Sequence, residues 1–150
     1  MTQYSVIYDR AIFKIKSQRL LSMALVDRTA VMLHFLQSAI VDFADECKFD
    51  LSARNDSSGY FEVDLGEKEI EILAYGVAYY WAMGNALNEK NMKNVMSPKD
   101  YQSFSPANLL KELENVRQNL KHEFLGRINA YSYAGGNFGS INIDGNGGNV

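Results

Sequence analysis

Apolar residues recur at steps of three and four over most of the chain, which is the period of an amphipathic α-helix. A first helix is predicted at about 5–16, with Ser5 as its cap, and a second at about 27–47, with Asp27 as its cap. The apolar stripe of the second helix comprises Met32, Phe35, Leu36, Ala39, Ile40, Phe43 and Cys47. A stripe of this kind predicts a helix with one face in a core.

Two more helices are predicted in the second half of the chain. One spans about 65–88 and opens with a capping box in which Asp64 is the cap and Glu67 its partner. The other spans about 106–131, because the Ser-Pro pair at its start is a strong helix signal. The apolar positions of this last helix are Leu109, Leu113, Val116, Leu120, Phe124, Ile128 and Tyr131. Their spacing fits either a bundle core or a coiled seam between subunits.

The segment between the second and third helices is polar and rich in turn residues. Residues 48–66 contain the turn sequence NDSSG and the β-prone run YFEV, so an extended loop with an edge strand is predicted. The expected fold is therefore mostly α: a small helical bundle of three to four helices with an extended mid-chain loop and an extended C-terminal arm. The bundle would comprise residues 1–133, and the Gly- and Asn-rich arm residues 134–150.

Length and composition are those of one soluble domain. A chain of 150 residues usually forms a single domain, and 47% apolar residues are enough for a core. Cys47 is the only cysteine, so no disulfide forms within the chain, as expected for synthesis in a reducing cytoplasm. The N-terminus is not typical of a signal peptide, and the longest apolar run, 72–84, is shorter than the about 20 residues of a membrane span.

The charge is distributed unevenly along the chain. The net charge is −3, which argues against a general nucleic-acid binder. Residues 1–28 hold five basic and two acidic side chains, whereas residues 48–75 hold seven acidic and three basic ones. This asymmetry fits two solvated faces, or complementary surfaces on neighbouring copies. In the second case the expected contact residues are Arg10, Lys14, Asp50, Glu62 and Asp64.

No constellation in the sequence is typical of catalysis or of metal binding. His34 and His122 lack a carboxylate or a second histidine at the helical offsets of a metal site. Cys47 ends an apolar stripe, which favours a small buried hydrophobe over a nucleophile. The three glutamates at the start of the third helix are two residues apart, which predicts a solvated acidic edge. We therefore predict no enzyme activity and no catalytic, cofactor-binding or metal-ligating residue.

Four segments of the chain occur in an order that is typical of a known family. They are IYDRAIFKI (7–15), FLQSAIVDFADECKFDLSAR (35–54), EKEIEILAYGVAYYWA (67–82) and KDYQSFSPANLLKELENVRQNLKHEFLGRINAYSY (99–133). Together they resemble the small helical head–tail connector proteins, also called adaptor or neck proteins, of tailed bacteriophages. The resemblance covers about residues 5–133 and includes no enzymatic motif.

The resemblance implies a structural role at the head–tail junction of a virion, after synthesis in the host cytoplasm. Proteins of this family are mostly helical and form a homo-oligomeric ring of about 12 copies. The implied partners are the portal protein, tail or neck proteins, and phage DNA that passes through the lumen without sequence-specific binding. No cofactor and no membrane are implied. Two alternatives stay open: a small intracellular enzyme or ligand-binding helical protein, and a monomeric adaptor directed at a host protein.

The C-terminal arm departs from the pattern of that family. Its DGNG sequence lacks the later glutamate of an EF-hand loop, and no helix follows it as a phosphate loop requires. Instead, Ile141 and Ile143 alternate with polar residues, which predicts a short amphipathic strand between glycines. We expect this strand to add to a sheet of another subunit, or of a portal or tail protein. Its expected contact residues are Phe138, Ile141 and Ile143.

Overall fold

The computed structural model describes residues 1–15, 23–85 and 106–135. Within these ranges the chain forms four helices and three short strands. The elements are β1 (Thr2–Gln3), α1 (Tyr4–Ile15), α2 (Leu25–Phe43), β2 (Arg54–Asn55), β3 (Tyr60–Phe61), α3 (Glu67–Asn85) and α4 (Pro106–Gly135). The prediction of a mostly helical bundle of three to four helices is confirmed.

Helix α3 is the centre of the bundle and contacts each of the other three helices. Its buried residues occur on nearly all of its sides: Ile70, Ile72, Leu73, Ala74, Val77, Ala78, Trp81 and Ala82. A helix that is apolar all round belongs in the interior of a protein. The contacts of α3 show that α1 runs parallel to it, whereas α2 and α4 run antiparallel.

Gly76 lies where α2, α3 and α4 meet. A Cβ atom on this residue would lie 2.5 Å from Cβ of Ala39 on α2 and 2.8 Å from the Phe124 ring on α4. Both of these neighbours are fully buried. The absence of a side chain at Gly76 therefore allows the side chains of Ala39 and Phe124 to pack directly against the backbone of α3.

A small antiparallel sheet closes one end of the bundle, which we call the sheet end. Its strand order is β1-β3-β2, with Thr2 and Arg54 both paired with Phe61. Gly59, at φ 74°, closes the turn between β2 and β3, and its N–H donates to the Asn55 carbonyl at 2.8 Å. The predicted turn is confirmed, but the predicted edge strand lies at the centre of the sheet. Strands of two residues carry no period-two signal, so β1 was not predicted.

The predicted caps of the first two helices are wrong. Ser5 lies inside α1, which begins at Tyr4, because the Tyr4 N–H donates to the Gly59 carbonyl at 2.8 Å. Asp27 lies in the first turn of α2, and the capping residue Ala24 makes no side-chain hydrogen bond. In α1, a contact from a distant loop replaces the local cap that the sequence suggested.

Helix α4 is longer than predicted and is only partly packed on the bundle. It extends to Gly135 and so crosses the predicted boundary between bundle and arm. Leu120, Phe124 and Ile128 are buried in the core, whereas Val116 is 46% exposed. The C-terminal half of the apolar stripe is thus bundle core. The predicted Ser105 start and the arm residues Phe138, Ile141 and Ile143 lie outside the described residues.

Candidate functional site

A groove of about 1110 Å³ runs along the sheet end, between the start of α3 and the end of α4. Charged side chains from α1, α3, α4 and the loop after α2 line it, and we call it the sheet-end groove. Among them are Arg10, Lys48, Lys68, Glu69, Glu71 and Arg127. Its apolar lining includes Ile72, Ala130 and Ala134. A groove of this volume lies above the usual range of small-molecule pockets.

The most buried charged group in this groove is the carboxylate of Glu69, which is 2% exposed. Its Oε1 accepts a hydrogen bond from the Tyr131 hydroxyl at 2.7 Å and lies 3.3 Å from Nζ of Lys48. The backbone N–H of Lys48 in turn donates to the Tyr131 hydroxyl at 3.3 Å. This cluster joins the start of α3, the end of α4 and the loop after α2.

The ionised form of Glu69 is the stable one in the folded chain. Burial by itself would raise the pKa of this carboxyl, but hydrogen bonds from Tyr131, from its own backbone N–H and from Lys48 outweigh it and hold the pKa below its ordinary value. Burial and the bond to Glu69 raise the pKa of Tyr131 well above its ordinary value. The pair is therefore a carboxylate acceptor and a phenol donor at neutral pH.

Gly66 and Glu69 hold the two positions at the start of α3 that the sequence assigned to Asp64 and Glu67. The Gly66 carbonyl accepts from the Ile70 N–H at 3.0 Å, so Gly66 caps α3 and Glu69 is the third residue of the helix. A carboxylate in the first turn interacts favourably with the helix dipole. The predicted capping box of Asp64 and Glu67 is wrong, and so is the prediction that Glu69 belongs to a solvated acidic edge.

Tyr75 lies between two cations beside the groove. Nζ of Lys14 is 4.2 Å from the centre of its ring, and Cζ of Arg127 is 4.6 Å from it. Lys14 also pairs with Glu71 at 2.7 Å, and Arg127 with Glu123 at 3.1 Å. The aromatic ring thus connects α1, α3 and α4 through cation–π contacts.

Three of the predicted intersubunit contacts make ion pairs within the chain. Arg10 pairs with Glu67 at 2.6 Å and with Glu71 at 3.6 Å, and Lys14 pairs with the same Glu71. Asp64 pairs with the N-terminal amine. At these positions, cations of the N-terminal stretch therefore pair with carboxylates from the middle of the same chain.

Asp50 and Glu62 are exposed at the sheet end. Asp50 Oδ1 accepts from the Ser52 N–H at 2.9 Å and from its hydroxyl at 2.6 Å, and these bonds lower the pKa of the Asp50 carboxyl. The Glu62 N–H donates to the Ala53 carbonyl at 2.9 Å, and the Glu62 side chain is exposed to solvent. Contact of these two side chains with a neighbouring copy stays a prediction.

Asp56 forms a second polar cluster, which no pattern in the sequence predicted. It accepts from the Tyr4 hydroxyl at 2.6 Å, from Nε2 of Gln37 at 2.9 Å and from Nε of Arg54 at 3.1 Å. Burial opposes ionisation, but these bonds hold the pKa of Asp56 below its ordinary value. The cluster fixes the hairpin to α1 and α2.

No hydrogen bond or ring contact between described residues joins His34, His122 and Cys47 to one another. His34 and His122 are both exposed, on α2 and α4, and Cys47 is half-buried with a pKa raised by burial. The described ranges contain no group of three or more His, Cys, Asp or Glu residues that would hold a metal ion. Within the same ranges no helix is long and apolar enough to span a membrane.

Comparisons with protein-family models, with curated proteins and with solved structures find no match to this chain.

Proposed function

We propose that this protein is a virion structural protein: a subunit of a homo-oligomeric ring between the portal and the tail of a tailed phage. The observation that carries the proposal is the ordered set of four segments, over about residues 5–133, that resemble the head–tail connector family. The mostly helical bundle agrees with it. In such a ring each copy presents two different surfaces to its two neighbours.

The charge of the sheet end supports this proposal. Six carboxylates are exposed there: Asp45, Glu46, Asp50, Glu62, Asp64 and Glu67. Asp64 pairs with the N-terminal amine and Glu67 with Arg10, and Lys48 and Lys68 are exposed beside them, so the other four carry the excess negative charge. Facing a lumen, they would repel the phosphate backbone, so that DNA slides through without binding. Facing a neighbour, they would steer a basic surface into place. Among the charged positions predicted to contact a neighbour, Asp50 and Glu62 form no ion pair with any described residue.

Removal of the protein is the direct test of this role. Particles assembled without it should be DNA-filled or empty heads that carry no tail, as seen by electron microscopy. Tailed, infectious particles of normal appearance would refute the proposal. Deletion of residues 135–150 should leave the helical signal in circular dichroism intact and reduce the yield of tailed particles, because strand addition to a partner is lost.

A charge reversal tests which surface is used. Glu62→Lys at the sheet end should reduce the yield of tailed particles by about tenfold or more, since a like charge at an interface costs several kcal/mol. Glu112→Lys is the matched control, because Glu112 is equally exposed on the half of α4 remote from the sheet end. Equal effects of the two reversals would argue against a sheet-end interface.

One observation favours a second candidate, a small ligand-binding protein. The sheet-end groove contains a buried carboxylate of shifted pKa, Glu69, next to charged and aromatic side chains. A thermal-shift screen against small cationic and polar metabolites tests it. A saturable shift that Glu69→Gln abolishes would support ligand binding, whereas no shift with any compound would leave the structural role as the better account.

A further inference from the structure

We infer that the groove between α1 and α2 binds a small uncharged molecule that has an apolar body and one hydrogen-bond acceptor. This α1–α2 groove has a volume of about 280 Å³. It exists because α1 and α2 both pack on α3 but scarcely on each other. The turn of the hairpin, residues 56–59, lines one end of it. Since a cavity of about 150 Å³ holds benzene, the groove has room for a substituted ring.

The hydroxyl of Tyr8 is the observation that points to a ligand. Tyr8 lines the groove and is only 7% exposed, yet its hydroxyl has no hydrogen-bond partner among the described residues. By contrast, the hydroxyls of Tyr4, Tyr80 and Tyr131 each donate to a carboxylate. A buried hydroxyl without a partner is costly. An acceptor that reaches Tyr8 therefore supplies a hydrogen bond that the described chain leaves unmade.

The wall of the groove contains a side chain that can adapt to such a ligand. The Tyr8 oxygen has almost no accessible surface, so an acceptor reaches it only when the wall shifts. Met32 is fully buried and also lines the groove. Methionine is unbranched and changes its shape at little cost, so a shift of the wall does not require the backbone to move.

The charge near Tyr8 selects an uncharged acceptor. Burial and the negative charge of Asp56, which lines the same groove, raise the pKa of Tyr8 well above its ordinary value, so the phenol is a donor at neutral pH. Asp56 is held in its ionised form by Tyr4, Gln37 and Arg54, and it would repel an anionic acceptor. An ammonium group has no lone pair to accept with. A carbonyl, ether or hydroxyl oxygen fits both conditions.

The rest of the lining agrees with an uncharged ligand. Two more charged side chains line the groove, Asp9 and Arg28, and neither forms an ion pair with any described residue. Their charges are opposite, so together they favour neither sign. Apolar lining comes from Ile12, which is half-buried, and from Leu25, which is exposed. An apolar ligand body would remove part of this surface from water.

Titration of the isotope-labelled full-length chain with cyclohexanone, followed by amide NMR shifts, tests the inference. Cyclohexanone is uncharged and joins an apolar ring to a carbonyl acceptor. Shifts of amides in α1 and α2 should saturate with a dissociation constant of about 1 mM, the order expected for a ligand of about seven non-hydrogen atoms. Cyclohexanecarboxylate and cyclohexylammonium have the same ring with a negative and a positive group, and each should bind at least about tenfold more weakly.

Tyr8→Phe tests the hydroxyl itself. This variant keeps the ring and removes the donor, so it should weaken cyclohexanone binding by about fivefold. It should fold like the wild type, because the hydroxyl has no partner to lose. Tyr80→Phe is the matched control, since the hydroxyl of Tyr80 donates to Asp42 outside the groove. It should leave the dissociation constant unchanged.

Thr29→Trp and Ala30→Trp are a second matched pair, which tests the location. Both residues are exposed on α2, but of the two Thr29 alone lines the groove. Thr29→Trp should fill the groove and abolish the saturable shifts, whereas Ala30→Trp should retain them. Far-UV circular dichroism of each variant checks that the helices are intact.

Any of four results would overturn the inference. They are the absence of a saturable shift with cyclohexanone, equal affinity of Tyr8→Phe and the wild type, binding of either charged analogue as tightly as cyclohexanone, and binding that Thr29→Trp leaves unchanged. All four concern the isolated subunit and none bears on particle assembly. Failure of this site and failure of the proposed role are therefore distinguishable.

Discussion

Gly76 is the residue at which the packing of three helices is tightest. We expect Gly76→Ala to destabilise the bundle, although alanine is the better helix former by about 1 kcal/mol. The new Cβ would meet Cβ of Ala39 at 2.5 Å, and a Cβ cannot rotate away, so overpacking should cost about 1–3 kcal/mol beyond that gain. Urea denaturation followed by far-UV circular dichroism measures the difference.

Gly126 on α4 is the matched control for this substitution. It is also a helical glycine, but a Cβ placed on it would meet no atom within 4 Å. Gly126→Ala should therefore stabilise the chain by up to about 1 kcal/mol, through the better helix propensity alone. If Gly76→Ala stabilises the chain as much as Gly126→Ala, the close packing of α2, α3 and α4 is wrong.

At the scale of elements, α4 divides into a half that packs on the bundle and a half that does not. Phe124 is fully buried, so Phe124→Ala should lower the free energy of unfolding by about 3–5 kcal/mol. Val116 lies two turns earlier on the same stripe and is 46% exposed. Val116→Ala should change the stability of the isolated subunit by no more than about 0.5 kcal/mol.

Chemical denaturation of the two variants decides this point. A cost at Val116 as large as that at Phe124 would mean that the whole stripe of α4 is core. If only Phe124→Ala is costly, the N-terminal half of the stripe is not part of the bundle core. The alternative prediction, a coiled seam between subunits, then applies to that half.

At the scale of the whole molecule, three buried or half-buried carboxylates connect the elements. Asp56 fixes the hairpin to α1 and α2, Glu69 fixes the start of α3 to the end of α4, and Glu71 fixes α1 to α3. Burial opposes ionisation at each, but bonds to neighbouring groups prevail, so all three pKa values lie below the ordinary 3.8 of Asp and 4.5 of Glu.

The stability of the protein should therefore fall in acid. A carboxyl with a lower pKa in the folded than in the unfolded state contributes stability above the unfolded pKa, and this is lost as the pH falls through the folded value. The free energy of unfolding should be level from pH 7 to about 5 and should decline below about 4.5. Denaturation in urea at several pH values measures it.

Glu69→Gln is the informative variant for the acid prediction. It should be less stable than the wild type at pH 7, because the charge-assisted bond from Tyr131 and the pair with Lys48 are lost. Its decline below pH 4.5 should be shallower, since one of the three titrating groups is gone. A wild-type stability that stays level to pH 3 would contradict the account of the three carboxylates.

The sequence by itself determined the four helices, most of their core residues and the turn at Gly59. These features depend on neighbours within a few positions, and a 3.6-residue period records which face of a helix is apolar. It left two interpretations of the opposite charges in the N-terminal and middle stretches, solvated faces or contact between copies, and did not indicate the pairs that Arg10 and Lys14 make within the chain.

Only the tertiary structure decided which surfaces meet. Arg10 is 57 residues from Glu67, and Tyr131 is 62 residues from Glu69, and no local pattern records a pairing over such distances. The cap predicted at Ser5 failed for the same reason, since the carbonyl of Gly59, from a distant loop, accepts from the Tyr4 N–H at the start of α1. The sheet-end groove likewise exists only because α3 begins where α4 ends. This arrangement follows from the packing of apolar stripes from all parts of the chain into one core.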